Sequence, residues 1–192
     1  MITEKIKLYR PVFKWIVTQR FGENALPLYK QLGMLGHNGI DVMAQNDWLV
    51  RSAHAGTVTQ AGYDNSGGLG IVVTTDKMYN HHGIPTYFKT IYWHLKEGSL
   101  KIKVGDKVDI GTALALADNT GYSTGTHLHF GLKPVYKGED GWSWYNLDPD
   151  NGYLGAIDPT EYLAEDFAYQ FTSMAWLTEQ INKLKLLIAN YK

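Results

Sequence analysis

The sequence predicts a mainly β protein, with a compact antiparallel core of β-sandwich or barrel-sandwich type and a C-terminal α-helix. Three observations predict this fold class. Short β-prone segments, each bounded by Gly, Asn or Asp, recur between residues 12 and 135. Residues 104–117 place a glycine turn between alternating apolar positions, as a hairpin does. Residues 173–192 instead repeat apolar positions every three or four residues, which is the period of a helix.

The predicted strands are separated by turn residues rather than by long helical segments, and this pattern is typical of a mainly antiparallel sheet. In chain order they are WIVTQRF (15–21), NGIDVMA (38–44), WLVRSA (48–53), GTVTQAG (56–62), GIVVTT (70–75), TIYWHL (90–95) and HLHFGL (127–132).

Two segments differ in composition from this core. Residues 136–155 are rich in Gly, Asp and aromatic residues without a clear period, which predicts a long loop. This loop is either held on the surface by its aromatic side chains or forms a wall of a binding groove. Residues 171–192 are predicted to form an amphipathic helix, which either packs on the domain or mediates a homo-oligomer through residues 173–192. We therefore expect one domain over residues 1–170, with its core at about 15–163.

The composition excludes several classes of function. The 18 basic and 19 acidic residues give a net charge of −1, so we expect no nucleic-acid partner. Cysteine is absent, which leaves His, Asp and Glu as the available metal ligands. No segment approaches the roughly 20 apolar residues of a membrane span, and the N-terminal segment lacks the apolar stretch of a secretory signal. We therefore expect neither membrane insertion nor a signal peptide.

Histidine and aspartate residues at even spacing indicate a metal site. His37 and Asp41 are four residues apart in HNGID, and His127 and His129 are two apart in TGTHLHF. On a strand, even spacing places both side chains on the same face. One imidazole nitrogen and one carboxylate oxygen suit zinc, and His129 can supply a third ligand while a fourth position stays open to water. His127 shares that face, so one histidine can bind metal while the other acts on a group bound to it.

His94 lies in another apolar, strand-like segment, IYWHL. Together with His127 it would give the site two imidazoles that do not bind metal. Zinc lowers the pKa of water to about 7, a neutral imidazole accepts the proton, and an N–H stabilises the oxyanion, and peptide hydrolysis needs all three. A Ser/His/Asp triad fits less well, because the sequence contains no nucleophile-elbow motif.

Three motifs occur in an order that closely resembles the lysostaphin-type zinc endopeptidases, which cut the peptide part of bacterial peptidoglycan. These motifs are HNGID (37–41), YWHL (92–95) and TGYSTGTHLHF (120–130). Further similar stretches are QRFG (19–22), VGDKVDIGTALA (104–115) and AIDPTEYL (156–163). The resemblance covers about residues 15–163.

The resemblance implies a compact antiparallel β fold with a narrow groove over a zinc ion. It implies that His37, Asp41 and His129 bind the zinc. It also implies that His94 and His127 flank the water bound to the metal and the scissile carbonyl. The implied function is a zinc-dependent endopeptidase that hydrolyses peptidoglycan in a cross-bridge or a stem peptide.

Two positions depart from the family pattern. Thr126 stands where the family usually has proline, and Gly131 where an acidic residue is common. Neither position supplies metal in the family, so we expect effects on loop rigidity or substrate contacts. Tyr63 and Asn65 lie in GYDNSGGLG, which is either a plain turn or a loop beside the groove that contacts substrate.

Two other interpretations stay open at this point. The first is a non-catalytic peptidoglycan-binding or activator module on the same fold, although all five site residues are present. The second is a lipoyl- or biotinyl-like carrier domain, suggested by GDKVDIG, which leaves the histidines unexplained. His54, His81 and His82 match no ligand position and are expected to be ordinary residues. For localisation, our hypothesis is a phage virion-associated protein, or one released at lysis, that acts on the cell wall.

Overall fold

The computed structural model of the protein describes residues 2–45 and 48–164. A single-turn helix, α1 (Leu28–Gln31), precedes the second strand, and a 3₁₀ helix (Pro159–Tyr162) follows the last. No helix in these two ranges has the length and apolar character needed to cross a lipid bilayer. The strands are β1 (Val17–Gln19), β2 (Ile40–Met43), β3 (Leu49–Arg51), β4 (Gly56–Asp64), β5 (Gly68–Thr74), β6 (Tyr79–His81), β7 (Ile84–Trp93), β8 (Lys107–Val108), β9 (Ala113–Leu116), β10 (His127–Lys137) and β11 (Trp144–Asn146).

The strands form one large sheet and one small sheet. The large sheet has the order β1-β2-β10-β7-β5-β4-β8, with β11 paired to β10 and β6 paired to β7. Strands β3 and β9 form the two-stranded sheet. All of these pairs are antiparallel, which confirms the predicted mainly β, antiparallel fold. The predicted helix at 171–192 and the domain boundary at 170 lie outside the described residues.

The hydrophobic core lies against one face of the central strands. Along β10, Leu128, Phe130 and Leu132 are fully buried, and they alternate with residues of the opposite face. Val50 of β3 and Leu114 of β9 belong to the same buried cluster. The small sheet therefore packs over this face, which removes the apolar side chains of both sheets from water.

The opposite face of the central strands carries the predicted site residues of β10. His127 and His129 lie on that face because they alternate with the buried core residues. Strands β2 and β7 flank β10, and they place Asp41 and Trp93 directly opposite His129. The row from Asp41 through His129 to Trp93 thus crosses three hydrogen-bonded strands, and the sheet itself fixes its spacing.

Residues 136–155 differ from the predicted long loop. Strand β10 extends into this segment and pairs with β11, and the rings of Tyr136 and Tyr145 stack with centroids 5.5 Å apart. The Asp140 carboxylate accepts hydrogen bonds from two backbone N–H groups in the connecting turn. The loop prediction is wrong where these strands lie, because cross-strand aromatic pairing stabilises a hairpin that has no clear period in the sequence.

Candidate metal centre

Three side chains converge on one point above the sheet. Nε2 of His37 lies 2.9 Å from Nδ1 of His129 and 3.2 Å from Oδ1 of Asp41. Nδ1 of His129 lies 3.1 Å from the same Asp41 oxygen. His37 and His129 are buried, and Asp41 is partly buried. These are the three residues that the sequence motifs predict as metal ligands.

His37 is held by the backbone of the segment that follows β1. Its N–H donates to the carbonyl oxygen of Glu23 at 2.9 Å, and its carbonyl accepts from Gly22 at 2.8 Å. Nδ1 of its ring lies 3.2 Å from the carbonyl oxygen of Arg20 and donates to it, because a carbonyl can only accept. The two segments approach so closely that a Cβ on Gly36 would lie 2.5 Å from the Gly22 oxygen. In its neutral form, His37 therefore presents an unprotonated Nε2 to the site.

Packing rather than hydrogen bonding holds the far side of the His129 ring. The indole of Trp93 stacks on it with centroids 5.2 Å apart and an interplanar angle of 22°. On the other side, a Cβ on Gly39 would lie 2.7 Å from Cε1 of His129. The indole in turn lies on Gly67 and Gly70, where a Cβ would come within 2.3 Å and 2.1 Å of the ring. Nε2 of His129 is buried and has no hydrogen-bond partner within the described ranges.

His94 and His127 lie beside the convergent group. Their ring centroids are 4.5 Å apart, and Nε2 of His127 lies 3.5 Å from Oδ2 of Asp41. Nδ1 of His94 donates to the carbonyl oxygen of Thr120 at 2.7 Å, and Nδ1 of His127 donates to that of Gly125 at 2.7 Å. In the tautomer that these contacts select, each ring carries its hydrogen on Nδ1, and proton exchange takes place at Nε2. All five residues predicted for the metal and catalytic roles are thus brought together.

The backbone at His94 adopts an uncommon conformation. Its φ is +63°, in the left-handed region that non-glycine residues seldom occupy. Thr120 stabilises this bend, because its hydroxyl donates to the Leu95 carbonyl at 2.8 Å and accepts from the Leu69 N–H at 3.1 Å. Such local strain is characteristic of functional positions. Here it turns the imidazole out of strand β7 and towards His127.

The surroundings shift the protonation equilibria of the site. Burial alone raises the pKa of Asp41, but hydrogen bonds with His129 and His37 outweigh burial and hold this pKa well below its usual range. Burial lowers the pKa of His94 to about 4 and also lowers the pKa of His129. The pKa of Tyr29 is raised to about 12 by burial and by the charge of Asp41. Near neutral pH the site therefore contains an ionised carboxylate and neutral imidazoles at His94 and His129.

A groove of about 200 Å³ opens above these residues. The three convergent residues His37, Asp41 and His129 line it, and so do His94 and His127. Tyr63, near the end of β4, and Asn65, in the turn that follows, are exposed and do not line the groove, whereas their neighbours Ser66 and Gly67 do. Substrate contact by Tyr63 and Asn65 stays a prediction.

The three convergent atoms fit a divalent cation. Ligands about 2.1 Å from a tetrahedral zinc ion lie about 3.4 Å from one another, and the distances here are 2.9, 3.1 and 3.2 Å. Nitrogen and carboxylate oxygen are ligands that zinc accepts. His37, Asp41 and His129 together supply three ligand atoms within reach of one ion. Three protein ligands leave a further coordination position open, as catalytic zinc sites do.

Comparison with known proteins agrees with this geometry. The profile of peptidase family M23 matches residues 35–141, more than half of the chain. The chain belongs to peptidase family M23. The M23 chain is 32% identical over 104 residues to the glycyl-glycine endopeptidase ALE-1 of Staphylococcus capitis, a match that covers 52% of this chain and 25% of ALE-1. It thus spans about a quarter of that relative.

Solved M23-like structures share the fold. The catalytic domain of the antimicrobial peptidase lysostaphin from Staphylococcus simulans aligns with a TM-score of 0.55 and 25% identity, covering 77% of this chain and 91% of that domain. A zinc-containing peptidase from Vibrio cholerae aligns with a TM-score of 0.54 and 27% identity, covering 69% of this chain and 37% of that protein. The family resemblance predicted from the histidine motifs is confirmed.

Sequence reasoning missed the residues that orient the histidines of this M23 site. The carbonyl groups of Thr120 and Gly125 fix the tautomers of His94 and His127, and a backbone carbonyl leaves no trace in residue type. Trp93 had an available signal, because it precedes His94 and falls, in an alternating strand, on the face opposite the buried Tyr92.

Proposed function

We propose that this protein is a zinc-dependent endopeptidase that hydrolyses peptide bonds of bacterial peptidoglycan, in a cross-bridge or a stem peptide. The observation that carries the proposal is the convergence of three candidate ligand atoms next to two histidines whose Nδ1 atoms are held by backbone carbonyls. Further support comes from membership of peptidase family M23 and from the likeness to ALE-1, whose name describes a glycyl-glycine endopeptidase. The groove above the site gives an extended peptide access to these groups.

His37, Asp41 and His129 would hold the zinc ion. When bound, zinc supplies Lewis-acid polarisation of a carbonyl group and makes coordinated water more acidic. Asp41 contributes a negative charge that partly neutralises the cation, and its low pKa keeps that charge present at neutral pH. Trp93 keeps the His129 ring in the orientation that directs Nδ1 to the site.

His94 and His127 would carry the proton transfers. Each ring keeps Nδ1 bound to a backbone carbonyl, so the proton is gained and released at Nε2. Because the centroids are 4.5 Å apart, a positive charge on one ring disfavours a charge on the other. One histidine can therefore accept a proton while the other, still neutral, stays available for the next transfer.

Purified bacterial cell walls provide the direct test. We expect the zinc-loaded protein to reduce the turbidity of a wall suspension and to release new peptide amino groups, and we expect an excess of chelator to stop both. Restoring zinc should restore them. Release of wall fragments that is indifferent to chelator would overturn the zinc proposal. Zinc-loaded protein that binds walls without creating new amino groups would instead indicate a non-catalytic binding module.

The location of this activity stays a hypothesis. We propose that the protein acts on the cell wall as a phage virion-associated protein or as one released at lysis. The predicted homo-oligomer through residues 173–192 also stays a prediction, because it falls outside the described residues.

A further inference from the structure

The groove beside the candidate metal centre has two unlike walls. One wall is apolar and comes from the segment around α1 and from the segment after β11; its side chains, which we call the leucine wall, are Leu26, Leu28, Leu32 and Leu154. The other wall is polar and consists of Tyr122, Ser123 and Thr124. The described residues that line the groove include no lysine, arginine or glutamate.

The leucine wall is exposed to solvent although it lies in a concave site. Leu26, Leu32 and Leu154 are 45%, 38% and 46% exposed. A single exposed leucine is ordinary, but several together in a groove mark a surface that binds something apolar. Covering them would remove apolar surface from water, which is favourable.

Leu154 is kept in this wall despite an unfavourable backbone conformation. Its φ of +54° lies in the left-handed region, where glycine or asparagine fits with less strain. Its carbonyl accepts hydrogen bonds from Nζ of Lys133 at 2.6 Å and from Nδ2 of Asn146 at 3.1 Å. The side-chain oxygen of Asn151 accepts hydrogen bonds from the backbone N–H groups of Tyr153 and Gly155, the two neighbours of Leu154. The loop is therefore fixed so that a leucine faces the groove, and strain of this kind concentrates at ligand contacts.

We propose that the leucine wall binds an aliphatic side chain of the peptide next to the bond that is cut. The protein would then prefer a peptide with such a side chain to one built of glycine alone. This inference rests on the proposed function. Glycine has no side chain to cover the leucines, and a charged side chain would find no partner of opposite charge along that wall. The polar wall is left to face the main chain of the peptide, whose N–H and carbonyl groups need hydrogen-bond partners.

A set of matched peptides tests the preference. The zinc-loaded full chain is given internally quenched peptides that are identical except that one glycine of an all-glycine sequence is replaced, position by position, by alanine, valine or leucine. We expect the best aliphatic peptide to exceed the all-glycine peptide in kcat/KM by about tenfold or more. Equal or faster cleavage of the all-glycine peptide would overturn the inference while leaving the proposed endopeptidase intact.

Two variants locate the preference on the wall. Leu26→Ser combined with Leu32→Ser should reduce the advantage of the aliphatic peptide to about twofold or less. Ile110→Ser is the control, because Ile110 is a 46% exposed aliphatic residue that does not line the groove. The control should keep the full preference. A double variant that is folded and keeps the same preference would overturn the role of the wall.

Binding measurements separate this inference from the proposed hydrolysis. The same peptides are titrated into zinc-loaded protein by calorimetry, at a low temperature at which the peptides are not cleaved during the titration. We expect the aliphatic peptide to bind about tenfold more tightly than the all-glycine peptide in the wild type and equally in the double variant. If no peptide is cleaved but this difference in Kd is present, the hydrolysis proposal fails and the inference stands. Equal Kd values in the wild type would overturn it whether or not cleavage occurs.

Discussion

The four histidines of the site differ in the nitrogen atom that each one offers. His37, His94 and His127 donate Nδ1–H to backbone carbonyls and present Nε2, whereas His129 presents Nδ1 to Asp41. The backbone therefore assigns the tautomer of three rings before any ligand arrives. Position rather than tautomer assigns the two predicted roles, because Nε2 of His37 converges with His129 and Asp41 on one point, whereas the rings of His94 and His127 lie beside that point.

Substitutions should separate these two roles. We expect His129→Ala and Asp41→Asn to lose both bound zinc and activity, because each removes a ligand or the ligand's charge. His94→Ala and His127→Ala should retain zinc and lose activity by about a hundredfold or more, because they remove only proton transfer. Metal analysis after dialysis, with wall hydrolysis in parallel, measures both properties. Equal loss of zinc in all four variants would contradict this division.

Trp93 should affect metal affinity although it touches no metal. Trp93→Ala removes the flat surface that holds the His129 ring, and we expect zinc to bind about tenfold more weakly. Trp93→Phe keeps a stacking ring and should retain an affinity close to that of the wild type. Competition with a chromophoric chelator gives these affinities.

The matched control for this prediction is Trp142→Ala. Trp142 is 86% exposed and lies in the turn between β10 and β11, away from the groove lining. Its removal should leave zinc affinity unchanged. A folded Trp93→Ala protein with wild-type zinc affinity would show that hydrogen bonds or the sheet alone hold His129.

Among the elements, β2 and the segment that enters it supply two of the three predicted ligands, Asp41 and His37. The segment that enters β2 can lie this close to β10 only because Gly39 has no side chain. A Cβ at Gly39 would lie 2.7 Å from the His129 ring and 2.8 Å from the Phe130 carbonyl oxygen. The entry to β2 and the start of β10 are therefore packed against one another by backbone and imidazole alone. Any residue larger than glycine must separate them.

Gly39→Ala should therefore destabilise the protein and weaken the metal site together. We expect the free energy of unfolding to fall by about 1–3 kcal/mol, because neighbouring backbone must move to admit the methyl group. Thermal unfolding with and without zinc measures both effects. Gly125→Ala is the control, because a Cβ there meets nothing within 4 Å and should change the melting temperature little. Equal melting temperatures for the two variants would contradict the packing argument.

The strands differ in how much of their arrangement the sequence could predict. Alternation along HLHFGL places His127 and His129 on the face opposite the core, and β10 confirms this. The His94 bend was not predictable, because its left-handed backbone depends on hydrogen bonds to Thr120, which is distant in sequence. The hairpin at β11 was missed for a similar reason, since its aromatic residues pair across strands and show no period along one strand. Contacts between distant segments were thus the part that residue patterns could not supply.

For the molecule as a whole, one buried histidine outside the site should couple stability to pH. His54 is 2% exposed, and its ring bonds the Ala55 carbonyl at 2.9 Å and the Thr90 hydroxyl at 2.9 Å. Burial lowers its pKa from 6.5 to about 4. The unfolded chain therefore takes up a proton more readily than the folded one between these values.

Acidification should therefore destabilise the folded protein through His54. Above pH 6.5 the stability contributed by neutral His54 is fully present, and it is lost as the pH falls towards 4, by about 3 kcal/mol in total. A His54→Gln variant should be less stable at pH 8 but lose less stability on acidification. Denaturant unfolding at several pH values in chelator, for wild type and variant, measures the two slopes. Parallel slopes would show that His54 does not titrate in this range.

The pairing of β2 with β10 has a further consequence for the durability of the protein. Asp41 and His129 are neighbours in space but are 88 residues apart in the chain. An ion held by both residues would cross-link two distant points of the chain and close a long loop. Disulfides do this in many exported proteins, but this chain contains no cysteine. The ion would thus act as a reversible cross-link, and the stability of the folded protein would increase with the concentration of free zinc.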